Sequence, residues 1–239
     1  MERNLSSSVN NSGPDIQGDL LRQEPLPYLE RLSLRPWEGA NALMRLSVPP
    51  RLMPGYCPVI TNWVVLTGAT CAGKTTTIKA LEAAGFNVVH EVARSFVEQE
   101  IKQGRSVREI RADDHWYRQK VFSLTLEEEL NLMPRASELI FFDRSAADSL
   151  AFHRGSGYDP HEILQQLQPY RYAHIFHLNP LPFVSDGLRT ANEPRRQFLD
   201  AAMERDYRAL GYQPIRVPYL TVQQRIDFIL ERAGYNHIH

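Results

Sequence analysis

The sequence predicts an α/β fold, a three-layer sandwich in which a parallel sheet of five strands lies between two layers of helices. Two observations favour it. From about Pro58, short apolar runs alternate with amphipathic stretches, as in parallel strands joined by crossover helices. The first of these runs leads directly into a glycine-containing loop, residues 68–75, which opens a helical stretch.

The apolar runs are short and rich in β-branched or aromatic residues, which indicates strands. The predicted strands are residues 63–67, 87–90, 139–143, 173–178 and 213–217. The amphipathic stretches that separate them indicate helices. The predicted helices are residues 74–83, 93–103, 113–132, 146–153, 160–167, 195–210 and 221–233.

Residues 1–56 are predicted to form an N-terminal extension outside the main domain, residues 57–239. Residues 1–18 are rich in Ser and Asn and contain too few apolar side chains to offset the entropy of ordering, so we expect disorder there. Between residues 20 and 56, six prolines interrupt any long element. The apolar residues of the extension could mediate a homodimer or could fold back on their own domain.

The composition excludes several classes of protein. With 27 Lys and Arg against 28 Asp and Glu, the chain lacks the overall positive charge of a general nucleic-acid binder, and this argues against a nucleic-acid partner. Cys57 and Cys71 are its only cysteines, as expected for a reducing cytoplasm. No apolar run approaches the roughly 18 residues of a membrane span. These features predict a soluble cytoplasmic protein.

The loop at residues 68–75 matches the phosphate-binding pattern GxxxxGK[ST] at every fixed position. Glycines let the backbone wrap closely around a phosphate, so that successive N–H groups and the helix N-terminus face the anion. Lys74 would reach the β- and γ-phosphates, and the Thr75 hydroxyl would bind Mg²⁺. The predicted nucleotide-binding residues are Gly68, Ala69, Thr70, Cys71, Ala72, Gly73, Lys74, Thr75 and Thr76.

Two further acids follow predicted strands. Asp143 ends the run LIFFD at the carboxyl edge of the sheet, where it could hold Mg²⁺, and Arg144 beside it could reach anionic oxygens. Asp143, or equally Ser145, could instead cap the next helix. Glu91 follows the second strand and could accept a proton from an attacking hydroxyl, with Arg94 holding the substrate. Glu91 could alternatively be an acid in the first turn of a helix.

The segments GATCAGKT, HEVARSF and FFDRSAADSLAF together resemble the nucleoside-kinase-like "AAA domain" family of P-loop proteins, related to ribosylnicotinamide kinase domains, deoxynucleoside kinases and thymidylate kinase. The resemblance covers roughly residues 60–233. It implies that Glu91 is the catalytic base, that Asp143 contacts magnesium, and that Arg144 contacts the substrate or the phosphates. The second-region motifs of ring-forming AAA+ motors are not recognisable in the sequence, which argues against a hexameric motor.

Residues 179–193 are predicted to form a lid, followed by arginines at a helix start, where cations oppose the helix dipole. A bound triphosphate would compensate them, and in related kinases lid arginines stabilise the transferring phosphoryl group. Arg189 and Arg196 are therefore predicted to be catalytic, although such a loop could equally be a solvated basic segment.

The combined prediction is a kinase that uses ATP, or alternatively GTP, with Mg²⁺ to phosphorylate a nucleoside-like or other hydroxyl-bearing metabolite. Its predicted catalytic residues are Lys74, Glu91, Asp143, Arg144, Arg189 and Arg196. The alternative is a regulatory NTPase or switch that hydrolyses nucleotide slowly and responds through a protein or lipid partner.

Overall fold

The computed structural model describes residues 59–167, 170–180 and 193–235. The predicted extension, residues 1–56, and most of the predicted lid lie outside these ranges. The strands are β1 (Val59–Ile60), β2 (Trp63–Thr67), β3 (Asn87–Val89), β4 (Ile140–Asp143), β5 (Tyr170–Arg171), β6 (His174–Leu178) and β7 (Ile215–Val217). The helices are α1 (Lys74–Ala83), α2 (Val92–Lys102), α3 (Val107–Ile110), α4 (Asp114–Asn131), α5 (Asp148–Gly155), α6 (His161–Gln166), α7 (Glu193–Ala209) and α8 (Val222–Arg232).

Five strands form one sheet in the order β3-β4-β2-β6-β7, and every neighbouring pair is parallel. The most deeply buried strand, β2, lies in the centre, with Trp63 opposite Ile140 and Val64 opposite His174. Since all strands run the same way, their carboxyl ends meet at one edge of the sheet. That edge carries the loop after β2 and the acid that ends β4.

The core is divided between the two faces of the sheet because successive side chains of a strand point to opposite sides. Trp63, Val65 and Phe142 belong to a cluster on the face covered by α4, α5, α6 and α7. Val64 and Leu66 belong to a second cluster with the apolar residues of α1 and α8. Helices therefore cover both faces, and the predicted three-layer sandwich with five parallel strands is confirmed.

The element boundaries agree with the predicted ones to within about two residues, with a few differences. The short parallel ladder between β1 and β5, which pairs Val59 with Tyr170, was not predicted because two-residue strands carry no periodicity. The single-turn α3 was also missed, although Ser106 and Glu109 form a capping box there. None of the helices within the described ranges is long and apolar enough to cross a membrane.

Candidate active site

The loop at residues 68–75, called the phosphate loop below, joins β2 to α1 with three residues in the left-handed region. The φ angles are 124° at Gly68, 61° at Cys71 and 82° at Gly73. A Cβ atom at Gly68 would lie 2.6 Å from the backbone oxygen of Leu178, so the loop can pack against β6 only without a side chain there. Both glycines of the motif are thus required by the geometry of the backbone.

Lys74 is buried at the start of α1, and its ammonium group bonds the loop itself. Its Nζ donates to the carbonyl oxygens of Gly68 (2.9 Å) and Ala69 (2.8 Å). Burial, and next the positive charge of Arg144, lower the pKa of Lys74 to about 7. A bound polyphosphate would supply the negative charge that favours the protonated amine. The side chain therefore has the properties of an anion-binding group.

Thr75 and Asp143 come together as the sequence predicts for a magnesium site. The Thr75 hydroxyl donates to Asp143 Oδ2 at 2.7 Å, while Asp143 Oδ1 is buried without a hydrogen-bond partner. Burial, and then the charge of Glu91, raise the pKa of Asp143. A hydroxyl beside a carboxylate with a free oxygen fits the oxygen ligands that Mg²⁺ prefers, directly or through water. Asp143 does not cap a helix, since α5 begins five residues later.

Arg144 connects the phosphate loop to Glu91. Its backbone has a φ of 76°, a conformation that costs a residue with a side chain about 1 kcal/mol. Its Nε donates to Glu91 Oε1 (3.2 Å), and its Nη1 donates to Gly68 O (3.1 Å) and approaches Asp148 Oδ1 (3.5 Å). The guanidinium carbon also lies 5.0 Å from the centre of the Phe152 ring. The strained backbone thus places one cation against three separate elements of the site.

Glu91 stands at the N-cap position of α2, but its side chain makes no capping hydrogen bond and points to Arg144 instead. Burial raises the pKa of this carboxyl, but the charges of Arg144 and Lys74 outweigh it, so that the pKa lies below its usual value. Arg94 contributes in the same direction from an exposed position on α2. Glu91 is therefore ionised and able to accept a proton from a neighbouring hydroxyl.

Asp148, a residue that the sequence did not single out, holds the turn between β4 and α5. Its Oδ2 accepts from the backbone N–H of Ser145 (2.9 Å) and from the Tyr207 hydroxyl (2.8 Å), and its Oδ1 accepts from the Thr67 hydroxyl. It is 2% exposed. An Asp in the first turn of a helix is too common to attract attention, so only the tertiary structure reveals this role.

The aromatic ring of Phe152 contacts Arg144 and a second arginine, Arg118. Phe152, on α5, is within 5.4 Å of the Arg118 guanidinium as well as close to Arg144. Arg118 donates to Ser156 Oγ (3.2 Å) and pairs with Asp114 (3.3 Å). We call this group, together with Glu91, the acceptor side. Phe152 was not among the residues predicted to form the site.

The structure describes only one of the two predicted lid arginines. Arg189 lies outside the described residues. Arg196 forms a two-pronged ion pair with Glu193, at 2.8 and 2.9 Å, which raises the pKa of Arg196, with smaller contributions from Cys71 and Tyr219. A catalytic role for either arginine stays a prediction. Thr70 and Thr76 are exposed on the loop and the first turn of α1.

A phosphate loop that follows a central parallel strand, with an acid at the end of the neighbouring strand, defines the P-loop class of nucleotide-binding folds. A sequence profile described as "AAA domain" matches residues 63–225, and the chain belongs to that family. A search of curated proteins finds no match.

Solved structures with a similar fold include NadR and a deoxyadenosine kinase. NadR in complex with NAD and AMP-PNP is 19% identical with a TM-score of 0.53, over 75% of this chain and 51% of NadR. Deoxyadenosine kinase from M. mycoides with bound dATP is 12% identical with a TM-score of 0.52, over 72% of this chain and 99% of the kinase. The chain thus spans about half the length of NadR. The fold is that of P-loop small-molecule kinases.

Proposed function

We propose that this protein is an ATP- and Mg²⁺-dependent kinase that phosphorylates a hydroxyl group of a small nucleoside-like metabolite. One observation carries the proposal. The Arg144 guanidinium bonds both the ionised Glu91 carboxylate and the Gly68 carbonyl of the phosphate loop, at 3.2 and 3.1 Å. The Glu91 carboxylate, which would take the proton of the acceptor hydroxyl, is therefore held close to the place where the terminal phosphate would lie. A protein that only bound nucleotide would have no need of this carboxylate.

The phosphate loop would bind the triphosphate through its backbone N–H groups and the ammonium group of Lys74. Lys74 would exchange its bonds to Gly68 and Ala69 for phosphate oxygens. Thr75 and Asp143 would hold the metal ion, and Mg²⁺ would neutralise charge on the β- and γ-phosphates. These residues together orient the γ-phosphorus toward the acceptor side.

Phosphoryl transfer would then proceed in line. The acceptor oxygen forms a bond to the γ-phosphorus while the bond from that phosphorus to the β–γ bridging oxygen breaks, leaving ADP. Glu91 accepts the proton of the acceptor hydroxyl, and Arg144 stabilises negative charge on the transferring group. GTP would serve in the same way as ATP, because none of these contacts involves the nucleobase.

The acceptor side supports an acceptor with polar substituents near its hydroxyl. The Arg118 and Arg144 guanidinium groups both lie over the Phe152 ring, and such cations donate to oxygen and nitrogen atoms of a substrate. Arg94 lies at the exposed margin of the same region. A nucleoside has a primary hydroxyl and polar groups on its sugar and nucleobase, so it matches these features.

The test is ADP release by the purified protein with ATP and Mg²⁺, measured across nucleosides, nucleotides and nicotinamide riboside. Acceptor-dependent release that Lys74→Ala abolishes is the expected result. Glu91→Gln should lower kcat by about 10²-fold or more while the Kd for ATP changes less than threefold, because the amide cannot take the proton. Glu98→Gln, an exposed change on the same helix, should leave both unchanged.

Two outcomes would contradict the proposal. Full turnover by Glu91→Gln would show that Glu91 is not the catalytic base. Tight ATP binding without stimulation by any acceptor would favour the regulatory NTPase instead, in which nucleotide occupancy rather than phosphoryl transfer is the output.

A further inference from the structure

Arg225 is buried on α8 at a position fixed by the start of that helix. Thr221 and Gln224 form a capping box, in which the Thr221 hydroxyl accepts from the Gln224 N–H at 3.3 Å. The apolar residues Ile226 and Ile229 then pack in the same cluster as the apolar face of α1. Arg225, which is 5% exposed, consequently points toward the phosphate loop at the start of α1.

Within the described ranges, the hydrogen-bond partners of the Arg225 guanidinium group are all neutral. Its Nη1 donates to the Gly73 carbonyl (3.2 Å) and the Thr77 hydroxyl (3.1 Å), and its Nη2 donates to the Leu220 carbonyl (3.4 Å). Its Nε is buried without a hydrogen-bond partner. Among the described residues, no carboxylate forms an ion pair with this side chain, in contrast to Arg144 with its two acids.

The contact with the phosphate loop is direct. A Cβ atom placed on Gly73 would collide with Nη1, so the guanidinium group occupies the space beside Gly73. Removal from water lowers the pKa of Arg225, which shows that burial of this charge is unfavourable. An arginine nevertheless stays protonated at neutral pH. Arg225 is therefore a buried positive charge that no acid of the described residues balances through an ion pair.

We propose that the counter-charge of Arg225 is the bound polyphosphate, so that Arg225 is a positioning residue that strengthens nucleotide binding through its charge and its bond to Gly73. This inference rests on the proposed nucleotide site. A buried cation close to the loop attracts the phosphates and costs free energy when they are absent. The same residue thus lowers the stability of the free protein and raises its affinity for nucleotide.

The experiment compares Arg225→Gln, which removes the charge but keeps a donor, with Arg225→Lys, which keeps the charge. Arg232→Gln is the matched control, since Arg232 is exposed on the same helix. The Kd values of ATP and of inorganic triphosphate, each with Mg²⁺, are measured by isothermal titration calorimetry. The Tm of the free protein is measured by differential scanning calorimetry. Arg225→Gln should weaken both ligands about tenfold and leave the Tm equal or higher, whereas Arg225→Lys should stay within about threefold.

Several results would overturn the inference. Unchanged triphosphate affinity in Arg225→Gln would show that the charge is not felt by the ligand. A fall in the Tm of the free protein, or failure of Arg225→Gln to fold, would show a purely structural role, because removal of an unbalanced charge should not destabilise the fold. If wild-type protein does not bind triphosphate, the proposed function and this inference fail together. If it binds but transfers no phosphoryl group, only the kinase proposal fails.

Discussion

The two faces of the central sheet are built differently. The face covered by α4, α5 and α7 buries polar groups among its apolar residues, including Glu129, Asp148 and the ion pair of Arg154 with Asp206. The face covered by α1 and α8 is packed mainly with aliphatic and aromatic side chains, and the buried cations Lys74 and Arg225 lie at its edge near the phosphate loop. The phosphate loop lies where the two faces meet.

This difference corresponds to two ways of positioning a site. Hydrogen bonds have direction, so the polar face fixes the orientation of the turn from Asp143 to Asp148 and hence of Arg144. Apolar packing has no direction, but it fixes the position of α1 through close contact. We therefore expect changes on the apolar face to cost stability, and changes on the polar face to alter pH dependence and catalysis as well.

The largest effect on stability is expected from Leu81→Ala on α1. Leu81 is 0% exposed in the apolar cluster, so its truncation should leave a cavity and cost about 3 kcal/mol of unfolding free energy. Urea unfolding at two pH values measures the loss, which should be the same at both. Lys79→Ala, an exposed change on the same helix, is the control. A loss below about 1 kcal/mol would show that this face collapses around the gap.

Asp148→Asn on the polar face is expected to cost less, about 2 kcal/mol, because one of three buried donors would then face an amide N–H group. Its effect on turnover should exceed that of Leu81→Ala, since Arg144 loses an acidic neighbour. Chemical denaturation and acceptor-dependent ADP release are measured together, beside Asp159→Asn, an exposed control. Equal losses of turnover in Leu81→Ala and Asp148→Asn would show that the polar face does not position the site more specifically than the apolar face.

The effect most specific to pH is expected from Glu129→Gln. Glu129 accepts from the hydroxyls of Tyr170 and Tyr172 and from the Ala146 N–H. Burial raises its pKa to about 7, although these hydrogen bonds oppose the shift. The folded state therefore binds the proton more tightly than the unfolded chain. Its contribution to stability is complete below about pH 4.5 and is lost as the pH rises toward 7.

The measurement is the difference in unfolding free energy between wild type and Glu129→Gln as a function of pH. Wild type should lose up to about 1.4 kcal/mol per pH unit relative to the variant across this window. Taking the difference removes contributions from other groups, such as Asp206, whose pKa burial raises to about 6. For Glu128→Gln, a change at the exposed neighbouring position, the unfolding free energy should vary with pH as it does in wild type. If the unfolding free energy of Glu129→Gln also varied with pH as in wild type, the pKa of Glu129 would not be raised by folding.

The sequence predicted the fold, and it predicted which residues lie together at the candidate site, because both depend on short-range patterns. Strand periodicity located the sheet, and the GxxxxGK[ST] spacing located Lys74 and Thr75. Asp143 and Glu91 could be assigned to the same edge because parallel strands end together. What remained hidden were contacts between segments far apart in the chain, such as Asp148 with Tyr207 and Arg225 with Gly73. Neither pair has a spacing that a single sequence reveals.

The position of β2 at the centre of the sheet has a consequence for how the chain acquires its structure. The strand WVVLT is made before either of its neighbours, since its partners β4 and β6 lie far along the chain. During synthesis this apolar strand, with unpaired edges on both sides, must wait for β4 and then β6 to emerge. We expect folding to be slow and limited by these distant pairings, and the nascent chain to be most prone to aggregation before β6 leaves the ribosome.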